Sequence, residues 1–404
     1  MQEFTIQKLP KGVTATRIRQ HEMEPVRLRN IEMVPVEASK EKLLRTNLRV
    51  KTFKANAKPK LDLGAFCDGF HAIMKSQVTG YELMICRNGT KAAGLRWNWG
   101  QTPADANKGW NDDTQMHIAS VSKLLTAIGM MKALDSKGIS YGTSIINYLP
   151  SYWSKGNNIA GVTFRDLLTH KSGFPKGDSQ SSFPFMKGRV AAGVASNPGG
   201  EYANMNFGLC RILIPIVMGD ISKSANPMPS NTGLNDLAWD ALTLYHYKDY
   251  MQDNVFTPAG VSNAGFAPTG SNRALAYKFP HNGQKGWDSG DLASMAGGAA
   301  WRLSAEEVLK VLHHARRRNT ILPADKFQYL LDNYFGIDQI IDSPAGKLYN
   351  KNGGWSSNSS QEQCVAYVLP DGLEAMVMVN SPIGTEKYSL RGIFKDVYLS
   401  CLSD

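Results

Sequence analysis

The sequence predicts an α/β fold of the α+β kind: an antiparallel sheet flanked by helices, built from both ends of the chain, with a mostly helical domain inserted between them. Three observations carry this. Asn88-Gly89 and Asp371-Gly372 each sit between runs of strand-forming residues, and such pairs supply the positive φ angles of tight hairpin turns. A run beginning at Ser120 has apolar residues at helical spacing, which places a helix directly after the first hairpin. Between about residues 140 and 285 the texture changes to helical pieces rich in Gly, Ser, Asn and Pro, with no clean strand pairs.

In chain order, residues 1–60 form a basic extension with 14 Lys and Arg against 6 Asp and Glu, while the remainder is nearly neutral although the whole chain carries +10. Val26, Leu28, Ile31 and Met33 suggest short extended segments there, interrupted by Pro25 and Pro35. An α/β domain is expected over 61–139 and 286–404, with the helical insertion at 140–285. Leu63, Phe66, Phe70 and Ile73 set a helix over 61–75, and the first hairpin pairs 81–87 with 91–99. Val121, Leu124, Leu125, Ile128, Met131 and Leu134 line the inward stripe of the next helix, which Gly138 ends. Thr163-Phe164-Arg165-Asp166 caps a short helix, and 218–235 reads as a surface loop. Helices follow over 304–317 and 325–334, and then a hairpin pairs 363–369 with 374–380. Leu390, Ile393, Phe394, Val397, Tyr398 and Cys401 predict a final helix that covers a sheet face.

Composition removes several function classes. At 404 residues with 42% apolar and 20% charged residues, a sizeable core is expected. No apolar run reaches the length of a membrane span. Met1-Gln2-Glu3-Phe4-Thr5 lacks the basic start and apolar core of a leader, so the expectation is a cytoplasmic protein, or an exported one whose leader has been removed. Cys67, Cys86, Cys210, Cys364 and Cys401 are odd in number, scattered, and far from histidines at ligand spacing; they read as buried thiols, with no metal site and no disulfide framework. The basic arm lacks the aromatics of a nucleic-acid binder, which leaves an anionic partner or a simple solvated extension. No Gly-x-Ser-x-Gly elbow and no phosphate loop occurs.

Ser120 and Lys123, three apart, share one helix face, which is the geometry a serine nucleophile needs when a lysine is its base. The spacing alone is common. Tyr202-Ala203-Asn204 and Lys351-Asn352-Gly353-Gly354 follow, the last expected just before the first strand of the second hairpin. Together with the stretches 118–123, 167–173 and 296–298, these motifs resemble, in order and spacing, the active-site motifs of the serine β-lactamase and penicillin-binding protein superfamily. Tyr202 moves the resemblance to the class C branch, and it covers roughly residues 61–404.

The resemblance implies a β-lactamase/transpeptidase-like fold and a serine hydrolase working through an acyl-Ser120 intermediate, with no metal and no organic cofactor. Ser120, Lys123 and Tyr202 are then the catalytic residues. Lys123 is the candidate base for acylation, and Tyr202, its phenol lowered by Lys123 and Lys351, relays a proton to the leaving group or activates water. Asn204 holds Lys123 and offers an amide to substrate. Lys351, Asn352 and Gly353 bind or orient the substrate, and the N–H groups of Ser120 and Gly354 form the oxyanion hole. Gly353 and Gly354 let the strand approach the substrate. His117 and His170 read as structural. The usual threonine of the third motif is Asn352, so an amide replaces a hydroxyl that would bind a carboxylate. The expected substrate is a small ester, amide or peptide, with esterase or D-amino acid peptidase and amidase chemistry ahead of class C β-lactamase or D,D-peptidase. An acyl transferase and a non-catalytic scaffold are the other readings.

Overall fold

The computed structural model describes residues 58–175, 181–197, 199–262, 264–268, 270–384 and 389–403, with the backbone of Arg19–Gln20. The extended segments expected around Val26 to Met33, and the arm's anionic partner, lie outside the described residues. At the centre is one sheet, antiparallel apart from the short Arg19–Gln20 segment, which pairs parallel along one edge. Its principal strands are β1 (Gly80–Arg87), β2 (Thr90–Gln101), β3 (Gln339–Ser343), β4 (Gly346–Ser357), β5 (Ser360–Val368) and β6 (Leu373–Val379). They lie in the order β2-β1-β6-β5-β4-β3, so strands from before and after the intervening helices meet where β6 pairs with β1.

Both expected hairpins form, and both turns use the left-handed conformation: φ is 51° and 79° at Asn88 and Gly89, and 56° and 69° at Asp371 and Gly372. A third hairpin joins β4 to β5 through Asn358 and Ser359, at φ 47° and 68°. It corrects the sequence expectation, since Lys351 to Gly354 lie inside a twelve-residue strand. The turn was hidden because it contains no glycine.

Helices cover the two faces. On one side α1 (Leu63–Met74), capped by Asp62 accepting from the Ala65 N–H at 3.0 Å, packs with the C-terminal α9 (Leu390–Ser400). Phe66, Phe70, Tyr367 and Phe394 form the centre of that layer, and the Tyr367 and Phe394 rings stack at 4.2 Å. On the other side lies α2 (Ser122–Ser136), followed by α3 (Phe164–Leu168), α4 (Phe183–Ala192), α5 (Asn204–Met218), α6 (Thr232–Met251), α7 (Ala305–His313) and α8 (Ala324–Asp332). The expected capping box at α3 is present, with Thr163 and Asp166 satisfying each other's backbone N–H groups. This larger apolar layer runs without a break from the sheet face through the inserted helices.

The α2 helix departs from the expected single inward stripe, because it is buried on every side from Ser122 to Met131. Polar residues are tolerated there because each has a partner. Thr126 Oγ1 bonds the Ser122 and Gly297 carbonyl oxygens and the Tyr247 hydroxyl, and Ser122 Oγ accepts from the Trp301 N–H. A central buried helix gives Ser120 and Lys123 a rigid base. All five cysteines are buried thiols. No helix among the described residues is long and apolar enough to cross a membrane.

Candidate active site

Ser120 does not start an α-helix. It sits in a 3₁₀ turn, Ala119–Val121, that feeds into α2, and the Val121 N–H closes the turn on the Ile118 carbonyl at 3.0 Å. Ala119 is held at φ 44°, a conformation that costs a residue with a Cβ about 1 kcal/mol. Neighbours enforce the turn. The Ile118 N–H bonds the Trp301 carbonyl at 3.0 Å, and the Cys364 thiol donates to the Ile118 carbonyl at 3.1 Å. The hydroxyl of Ser120 is thereby fixed at the head of the buried helix.

Two proton-carrying groups converge on it. Lys123 Nζ lies 2.9 Å from Ser120 Oγ, and the Tyr202 hydroxyl lies 2.8 Å from the same atom. Lys123, wholly buried, also donates to Asn204 Oδ1 at 2.7 Å and to the Gly298 carbonyl at 2.8 Å. Burial pulls its ammonium below the ordinary lysine range; Lys351 adds to that, while Tyr202 and Asp338 hold it up. Burial pushes the Tyr202 phenol up, but Lys123, Lys351 and the hydrogen bonds from Lys123 and Ser120 outweigh it and bring it down to about 8. Tyr202 itself is 39% exposed. Lys351 Nζ lies 5.0 Å from the centre of that ring.

Tyr202 and Asn204 are brought to Ser120 by the start of α5. His170 holds this entry: its Nδ1 accepts from the Ala203 N–H at 3.3 Å and from Asn206 Nδ2 at 3.1 Å. Burial, then Lys351 and Lys123, push His170 down to about 3, so it is neutral and free to accept. His117 bonds the Ala299 carbonyl with one ring nitrogen and lies 3.3 Å from Glu362 with the other.

The third motif enters along β4. Strand alternation puts Lys351 and Gly353 on the face that carries Tyr349, toward α2, and Asn352 on the opposite face with Leu348. A Cβ on Gly353 would lie 2.5 Å from the Ile118 carbonyl and 3.2 Å from the Ser120 nitrogen. Gly353 therefore packs against the turn of Ser120 instead of letting the strand approach a substrate. The Asn350 carbonyl and the Asn352 N–H both point to the outer side of β4, since each bonds Asp338 there. Two residues on, the Gly354 N–H points the same way, past the end of the β3 pairing at Asn350.

Ser120, Tyr202, Asn352 and Gly354 border an open cleft of about 750 Å³, completed by Asp338, Trp355, Ser356, Gln361 and Arg391. Lys351 is 1% exposed and its ammonium is 2.6 Å from Asp338 Oδ1. Sequence reasoning missed Asp338, Arg391 and the Gly298 carbonyl. The run Gln339-Ile340-Ile341-Asp342, paired against 346–350, is the one signal that could have placed Asp338 beside Lys351.

The model of the family described as Beta-lactamase matches residues 68–388. No curated protein sequence matches the chain. Among solved structures, D-amino acid amidase from Ochrobactrum anthropi SV3, complexed with D-phenylalanine, is similar at a TM-score of 0.61 and 16% identity, covering 83% of this chain and 98% of that one. The octameric penicillin-binding protein homologue from Pyrococcus abyssi gives 0.61 at 17%, covering 83% and 76%. A class C beta lactamase from Rhodobacter sphaeroides gives 0.60 at 15%, covering 83% and 98%. At these identities the likeness is one of fold.

Proposed function

Since the chain belongs to the β-lactamase family, we propose that it is a serine hydrolase that cleaves a small ester or amide, of the esterase or D-amino acid amidase and peptidase type, through an acyl-Ser120 intermediate. The observation that carries this reading is the convergence of Lys123 Nζ and the Tyr202 hydroxyl, at 2.9 and 2.8 Å, on one serine oxygen that borders an open cleft. Solved structures of similar fold include proteins named as a D-amino acid amidase and a class C beta lactamase, and those names support a hydrolase reading.

In this reading Ser120 Oγ bonds to the acyl carbon while its proton passes to the Lys123–Tyr202 pair. Each group acts on the other, Tyr202 holding the Lys123 ammonium up and Lys123 bringing the phenol down, so the proton is assigned to the pair and not to one member. Negative charge on the former carbonyl oxygen is met by the N–H groups of Ser120 and Gly354. The pair returns the proton to the departing alcohol or amine. Water then attacks the acyl carbon and gives its proton to the same pair, which passes it to Ser120 Oγ as the bond from Oγ to the acyl carbon breaks, so that the free acid leaves and Ser120 regains its hydroxyl. Asn204 and the Gly298 carbonyl keep Lys123 from swinging away during both halves.

The test is intact-mass spectrometry after brief exposure to a penicillin, a cephalosporin, p-nitrophenyl butyrate and a D-alanyl peptide, with Ser120→Ala alongside. A mass adduct or turnover confined to the wild type is the expected result. Equal turnover by the Ser120→Ala variant would remove the acyl-serine mechanism.

A further inference from the structure

The cleft contains a carboxylate of its own. Asp338 stands just ahead of β3, where its N–H donates to the Asn350 carbonyl at 2.9 Å and clamps it against β4. Its side chain then reaches along the open edge of that strand. Oδ1 lies 2.6 Å from Lys351 Nζ, and Oδ2 accepts from the Asn352 N–H at 2.9 Å. Arg391 Nη1, from the first turn of α9, lies 3.9 Å from Oδ2. One carboxylate is thus surrounded by an ammonium, a guanidinium and a backbone N–H, a donor set suited to a carboxylate. Asp338 and Arg391 both border the cleft that holds Ser120 and Tyr202.

Resting on the reading of Ser120 as an acylated nucleophile, we propose that Asp338 is a specificity-determining residue: it fills the cradle between Lys351 and Arg391 with the chain's own carboxylate, so the cleft takes neutral acyl esters and amides and turns away substrates with a carboxylate beside the scissile bond.

A substrate carboxylate entering here meets a like charge already sharing the same donors, and like charges at hydrogen-bonding separations repel strongly in a partly desolvated cleft. Lys123 cannot serve instead, because Ser120, Asn204 and Gly298 occupy its ammonium. Asn352 adds an amide and no charge. The Asn352 position, where the sequence already departs from its family, and Asp338 therefore act in the same direction.

The experiment compares two acyl groups of equal length, p-nitrophenyl butyrate and mono-p-nitrophenyl succinate, on the wild type, Asp338→Ala and Asp338→Asn. The wild type should favour butyrate in kcat/KM by about tenfold or more. Asp338→Ala, which empties the cradle, should raise kcat/KM for the succinate ester by about tenfold or more, and added acetate should compete that gain away. Asp338→Asn removes the charge but keeps the volume, and should shift the ratio in the same direction. A wild type that hydrolyses the succinate ester as well as the butyrate overturns the proposal, whether or not either variant folds. A folded variant with an unchanged ratio does so too. If Ser120-dependent turnover of butyrate persists in that case, the serine hydrolase reading stands and only the role of Asp338 falls. If no ester gives Ser120-dependent turnover or a mass adduct, both fall together.

Discussion

The imidazole of His170 lies against the ring of Tyr202, with centroids 4.3 Å apart and planes tilted by 32°, while its Nδ1 accepts the N–H of the very next residue, Ala203. A histidine that reads as structural in the sequence thus fixes both the ring and the backbone of the tyrosine that touches Ser120. His170→Phe keeps a flat ring against Tyr202 but leaves the Ala203 N–H and Asn206 Nδ2 without their acceptor. It is expected to lower kcat by roughly ten- to a hundredfold through misplacement of the phenol, with KM less affected. Steady-state kinetics on an ester substrate checks this, and an unchanged kcat would refute it.

Activity should rise with pH on a limb near 8. Tyr202 is the member of the Lys123–Tyr202 pair brought down to about 8, and the pair accepts the Ser120 proton only after it has lost one of its own, so turnover is low below that value and climbs through it. Lys351 is one of the cations that lower the phenol, hence Lys351→Met should move the limb to higher pH. Tyr202→Phe should abolish it. A pH profile of kcat/KM for the three proteins decides, and a limb that stays in place in Lys351→Met counts against the assignment.

Lys123→Ala should reduce acylation by about 10²–10⁴-fold, the usual range for loss of a positioned proton-transfer group. The variant also leaves Asn204 Oδ1 and the Gly298 carbonyl facing an empty site. Stopped-flow measurement of the first turnover separates this from any effect on deacylation, and a normal burst rate would be incompatible with the proposed role.

Gly353→Ala should lower both stability and activity. The added methyl group falls 2.5 Å from the Ile118 carbonyl and 2.9 Å from the Cys364 sulfur, so either β4 or the Ser120 turn must move. A cost of about 1–3 kcal/mol is expected from overpacking. Gly354→Ala is the contrast, since its Cβ would meet nothing nearer than 3.8 Å. Denaturant unfolding of both variants tests the difference, and equal stabilities would show that the strand has room.

Much of the site was legible because its motifs are local. Three-residue spacing already puts Ser120 beside Lys123, and Tyr202 and Asn204 stand two residues apart in one short motif. The hairpins at Asn88-Gly89 and Asp371-Gly372 were legible for the same reason, since those residues tolerate the backbone conformation the turns need. The hairpin at Asn358-Ser359 was not, because it forces two residues with side chains into that conformation and is held by the β4–β5 ladder.

By itself the sequence determined the two hairpins turned at Asn88-Gly89 and Asp371-Gly372, the helices that begin near Leu63, Ser122 and Leu390, and which serine, lysine and tyrosine belong together. Tertiary structure alone decided the rest: that α2 is buried on all sides, that Gly353 serves the nucleophile's turn, that His170 holds Tyr202, and that Asp338 lies between Lys351 and Arg391. Each depends on residues far apart in the chain meeting across a strand edge or a helix end. Periodicity and spacing record what neighbours along the chain can do, whereas the charge a side chain faces is set by whichever distant element the packing brings against it.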